Sequence, residues 1–194
     1  RAREILGDEC ALRIDANCGW TWETALSRLE QYAPFNLESV EQPVAGDDID
    51  GLVRLTARSP IPVIVDESLA SLQDARRLID RGACHHFNVR ISKCGGLVNA
   101  RRIRDAAHEA GMRCQLGAQV GETILLSAAG NLFASRTDGL LFAEGSFGTI
   151  LLADDIGVQD LTLRPKTPAR ALDRPGLGVE VNTERLQPFV VGAV

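Results

Sequence analysis

Three carboxylates, Asp15, Glu41 and Asp66, recur at intervals of 25–26 residues in a chain of 194, each at the end of a short strand-like run. On adjacent parallel strands about 4.8 Å apart, inward-facing acids at equivalent places converge. Three anions gathered this way repel one another, and a hard divalent cation is their natural counter-charge. Mg²⁺, with Mn²⁺ as the alternative, takes such oxygen donors and keeps positions open for water or substrate oxygens. Taken singly, each acid reads as a solvated strand-end residue or a helix cap. Three in register favour the metal. Lys93 stands at the next strand end and is followed by Cys94, Gly95 and Gly96. The glycines permit a tight turn and close approach of backbone to a ligand. An ammonium beside a divalent cation is disfavoured, which suits a lysine in that place to act as a general base. Alone, Lys93 would read as a surface lysine.

The elements that must position these residues follow from hydrophobic patterning. Strand-like runs at 11–17, 37–43, 62–68, 86–91, 113–118 and 140–144 alternate with helical stretches at 22–32, 71–81, 96–110 and 123–136, and with a helix opened by Asp47, Asp48 and Asp50. Ser71 and Asp74 have capping-box spacing, and Gly111 is placed to stop the helix before it. The polar strand ends, continued by Gly117 and Glu144, repeat every 24–27 residues. One strand plus one helix per repeat signals parallel βαβ units. Chemistry-bearing residues at successive strand ends favour a barrel over a doubly wound sheet, and no G-x-G-x-x-G is present. The expected fold is therefore α/β, a TIM-type (β/α) barrel. A full barrel takes about 250 residues. Six strands make this one incomplete, with about strands three to eight present and Arg1–Leu6 as the tail of an upstream helix. Residues 1–154 are expected to form the partial barrel. Residues 155–194, with the Pro- and Gly-rich stretches RPKTPAR and DRPGLGVEV, are expected to form an extended tail packing on a capping domain or on the barrel.

Composition narrows the function classes. The chain is 45% hydrophobic and 24% charged, with net charge −5 and pI near 5.3. Disorder is excluded on this balance, and nucleic acid is an unfavourable partner for an acidic chain without a basic cluster. No apolar run reaches the roughly 18–20 residues of a membrane span, and no secretory leader opens the chain. A cytoplasmic location is expected. Cys10, Cys18, Cys84, Cys94 and Cys114 are odd in number and lack C-x-x-C spacing, so reduced thiols filling core gaps are expected. His85 and His86 face opposite sides of a strand, and His108 falls in a helix, which gives no metal set.

The ordered set DAN (15–17), VEQP (40–43), VDES (65–68) and KCGG (93–96) resembles the enolase superfamily in its muconate lactonizing enzyme / mandelate racemase-like branch. GAQVGET (117–123) and PGLGVEV (175–181) extend the likeness over about residues 5–184. The resemblance implies that Asp15, Glu41 and Asp66 bind Mg²⁺, that Asn17 and Glu67 support these ligands, and that Lys93 is the acid/base. Glu122 and Ser146 are implied to contact substrate, with Phe147 and Ile150 near the pocket. It implies an isomerase of the cycloisomerase or dipeptide/amino-acid epimerase type. Such an enzyme removes the α-proton of a small-molecule carboxylate substrate to give a metal-stabilised enediolate. An o-succinylbenzoate synthase-like or acid-sugar dehydratase lyase is the alternative, and homo-oligomers are common in the family. A Schiff-base lyase acting through Lys93, and a non-catalytic barrel remnant, are the rivals. Two departures stand out: the family's K-x-K strand is absent, and Arg90 stands where many members carry lysine.

Overall fold

The computed structural model describes residues 1–161 and 171–192; RPKTPAR lies outside the described residues. In chain order the elements are α1 (Ala2–Leu6), β1 (Arg13–Asp15), α2 (Trp22–Tyr32), β2 (Ser39–Glu41), α3 (Ile49–Thr56), β3 (Val63–Val65) and α4 (Leu72–Arg81). They continue with β4 (His86–Arg90), α5 (Leu97–Glu109), β5 (Arg113–Gly117), α6 (Ile124–Ser135), α7 (Gly148–Leu151) and α8 (Thr183–Leu186). The five strands form one sheet in the order β1-β2-β3-β4-β5, and the pairs from β1 to β4 are parallel. Sequential strands that neighbour one another through helical crossovers are the βαβ succession expected from the repeat.

The chain divides into two compact units, residues 1–89 with 102–114 and residues 90–101 with 115–194. In the first, helices start where the sequence supplies caps. Thr21, Asp48 and Ser71 accept the backbone N–H groups of Thr24, Gly51 and Asp74. The Asp74 carboxylate in turn accepts the Ser71 hydroxyl at 2.7 Å and the N–H of Ala70, the residue before the cap, at 3.3 Å. Leu29, Leu52, Leu55, Ile64, Leu78, Phe87 and Ile103 are fully buried. β2 and β3 are buried along their whole lengths, as strands covered on both faces must be, whereas edge strand β1 is exposed at Arg13 and Asp15. Burial of Cys84 and Cys114 agrees with thiols that fill the core.

His85 and His86 join neighbouring strands through their imidazoles. His85 Nδ1 accepts the Val63 N–H at 2.9 Å, and His86 Nδ1 accepts the Arg113 N–H at 3.3 Å. Burial holds both below the ordinary value of 6.5, with His85 and Arg113 adding to the effect on His86. Protonating either Nδ1 also removes an acceptor from a strand N–H. The unfolded chain therefore binds protons below about pH 6.5 that the folded chain resists, so stability falls as pH drops through that value. The urea midpoint is expected to be lower at about pH 5.5 than at about pH 7.5, where normal carboxylates contribute little. An equal or higher midpoint at the lower pH would refute this.

In the second unit, α6 has no cap from its own Thr123. Asp155 supplies it from 31 residues away, accepting the Ile124 N–H at 2.9 and 3.1 Å. The run at 140–144 is not a strand. It carries an isolated parallel bridge from Ala143 to Leu116, made by the Leu116 and Glu144 N–H groups. The expected extended tail also contains a helix: Asn182 accepts the Glu184 and Arg185 N–H groups and starts α8, just after an antiparallel bridge between Gly157 and Val181. No helix among the described residues is long and apolar enough to cross a membrane.

Candidate metal and acid/base site

The predicted metal ligands all lie in the first unit. Asp15 ends β1 and pairs in register with Glu41, which ends β2. Glu41 also pairs with Ile64, and Asp66 follows directly on the end of β3. Asp66 is 1% exposed and Glu41 9%. Glu41 Oε1 accepts a hydrogen bond from Asn88 Nδ2 of β4 at 2.5 Å. Asp15, on the edge strand, accepts the Asn17 N–H at 2.9 Å. Asn17 thus supports Asp15 through its backbone, at a left-handed φ of 45°. The expected convergence is not assembled: among the described residues no three His, Cys, Asp or Glu side chains are grouped closely enough to hold a metal ion. Asp15 and Glu41 are turned to protein donors instead.

The donor chemistry nevertheless fits a hard dication. All three groups are carboxylates at successive strand ends, and two have been taken out of water, an environment that disfavours anions unless countered by positive charge or donors. Asp15, Glu41 and Asp66 are the residues that would hold Mg²⁺. Glu67 is exposed and lies beside Cys18. Burial, and then the Glu67 carboxylate that the thiol meets, push the Cys18 thiol up.

Lys93 lies in the second unit, half-buried in the turn after β4. Backbone bonds from the Cys94 N–H to Arg90 O (2.9 Å) and from the Gly96 N–H to Ile91 O (2.8 Å) define that turn. Gly95 and Gly96 have φ of 79° and 94°, where an L side chain is strained. Glu122 is tied to this unit's loops: its Oε1 accepts the Gln119 N–H at 2.7 Å and the Ser92 hydroxyl at 3.3 Å. Arg90 reaches Gln119 Oε1 at 3.5 Å. Glu122 and Ser146 line a cavity of about 10 Å³ with Ser127, Asn131 and Glu144, room for about one water rather than a substrate. Phe147 and Ile150 are exposed.

Gln42 and Ser68 stand inside the VEQP and VDES motifs without a role that spacing assigns, and Asn88 belongs to none of the motifs. A polar side chain between Phe87 and Val89 is the available signal for Asn88.

A family model, Enolase C-terminal domain-like, matches residues 1–185. The chain belongs to this family. The N-succinyl-L-Arg/Lys racemase of Bacillus cereus is 31% identical over 191 residues, which is 97% of this chain and 50% of the racemase. Its crystal structure superposes with a TM-score of 0.87 at 33% identity, covering 98% of this chain and 50% of that one. Muconate cycloisomerase 1 of Rhodococcus opacus is 31% identical over 186 residues, 96% of this chain and 49% of the relative. The dipeptide epimerase of Cytophaga hutchinsonii, solved with Mg and the dipeptide D-Ala-L-Val, matches with a TM-score of 0.81 at 30% identity, over 96% of this chain and 50% of that one. The chain spans about half the length of these relatives. Its parallel α/β succession corresponds to the C-terminal part of the enolase-superfamily barrel.

Proposed function

We propose that this chain is the catalytic part of a Mg²⁺-dependent isomerase, of the epimerase or cycloisomerase type, acting on a small-molecule carboxylate. The observation that carries the reading is the placement of Asp15, Glu41 and Asp66 at the ends of three consecutive parallel strands, in a chain of this family. When bound, the metal supplies Lewis-acid stabilisation of charge that develops on the substrate carboxylate. Lys93 Nζ takes the proton from the carbon next to that carboxylate and returns one to the product. Glu122 and Ser146 contact the substrate, and Asn17 and Glu67 hold the ligand segments. Epimerisation needs a second acid/base on the opposite face, whereas cycloisomerisation can proceed with one. The active form is a cytoplasmic homo-oligomer.

Deuterium uptake from D₂O tests this in the intact protein, with dipeptides, N-acylamino acids and muconate-like acids as substrates, with and without Mg²⁺. Metal-dependent exchange at the α-carbon is the expected result and names the substrate class. Absence of exchange from every acid, together with absence of Mg²⁺ binding, would refute the reading. Borohydride trapping of Lys93 without metal would support a Schiff-base lyase instead.

A further inference from the structure

The side chain of the residue after Glu41 is fully buried and bonded at every polar position. Gln42 is 0% exposed, and its amide uses its full hydrogen-bonding capacity. Nε2 donates to Val44 O at 3.0 Å and to Ser68 Oγ at 2.9 Å. Oε1 accepts the Asp66 N–H at 2.8 Å and the Ser68 N–H at 3.3 Å. Ser68 Oγ passes the chain of bonds on to Gly46 O at 2.8 Å. The backbone of Gln42 adds two more links: its N–H donates to Ile64 O at 2.9 Å, and its carbonyl accepts the Cys18 N–H at 2.8 Å.

One residue therefore touches the segment that follows each of the three acidic strand ends. It holds a φ of +31° to do so, a conformation that favours glycine. Strain of this kind persists where the surroundings over-determine it. Glycine would relieve the strain but lose all four amide bonds. Glutamate would set an oxygen against Val44 O, and methionine would leave buried N–H groups of Asp66 and Ser68 without their acceptor.

We infer that Gln42 is a positioning residue that fixes the Asp66 backbone to the residue after Glu41, and so sets the spacing of the two buried carboxylates for a divalent cation. The inference rests on the proposed metal-dependent reading. It follows that Gln42 acts on metal affinity through Asp66 and Glu41, without touching the ion or the substrate.

The test is Mn²⁺ affinity, measured by electron paramagnetic resonance on the intact protein well below its melting temperature. Gln42→Met is expected to raise Kd about 10–100-fold, the size typical when a partner of a metal ligand is removed. Ser68→Ala, which removes one of the amide's partners, is expected to give a smaller rise and keeps the test available should Gln42→Met fail to fold. Leu55→Ala, a core truncation that lowers stability away from the acids, controls for softening and is expected to leave Kd within about twofold. Folded Gln42→Met and Ser68→Ala proteins that bind Mn²⁺ as the unsubstituted protein does would overturn the inference and leave the proposed function standing. An unsubstituted protein that binds no Mn²⁺ would overturn both.

Discussion

Lys93→Ala is expected to slow α-proton exchange about 10³-fold in the intact protein, within the range a positioned acid/base contributes. The fold is expected to be unaffected. The turn that carries Lys93 is made by backbone bonds at Cys94 and Gly96 and by the positive φ of Gly95 and Gly96, none of which needs the lysine side chain. Mn²⁺ affinity should also be unchanged, since the amine is not among the proposed ligands. Lys93→Arg should be as slow as alanine, because a guanidinium does not release its proton near neutral pH. Exchange rates read beside circular dichroism and Mn²⁺ binding separate these effects. More than a tenth of the original rate in Lys93→Ala would remove Lys93 from the role.

Phe87→Ala is expected to have the largest effect on stability. Phe87 is the largest of the fully buried side chains and pairs with Val65 across β3 and β4. Truncation removes a ring from a packed interior and leaves a cavity, at a cost of about 3–5 kcal/mol. Domains of ordinary stability have about 5–15 kcal/mol in total. The urea midpoint should therefore drop steeply, and Asn88, the next residue, should lose the rigidity with which it meets Glu41. A loss under about 1 kcal/mol would mean that the site collapses around the smaller side chain.

The order of strands and helices was legible because parallel strands covered on both faces appear as apolar runs such as Val63–Val65, and because Ser71 and Asp48 announce helix starts. The run 140–144 shows the limit of that signal: its composition suits a strand, but it forms an isolated bridge to Leu116 and no named strand. α8 escaped notice because four residues are too few to show periodicity, although Asn182 caps it. At the site, the acids and their spacing could be read directly. Their orientations were legible only in part: Asp15 accepts the Asn17 N–H inside its own DAN motif, whereas Glu41 meets Asn88, 47 residues away, which no motif spacing encodes. The role of Gln42 depends on four bonds to segments up to 26 residues away, which no local pattern encodes.

The strand ends have an evolutionary consequence. Val63–Val65 are sealed in the core, while Asp66 and Glu67 begin immediately after them. Residues that secure folding and residues placed for chemistry are thus adjacent in sequence. Glu67, the exposed position past this strand end, can be exchanged while Val63, Ile64 and Val65 keep the scaffold intact. Descent from one ancestral scaffold can in this way yield a racemase, a cycloisomerase and an epimerase.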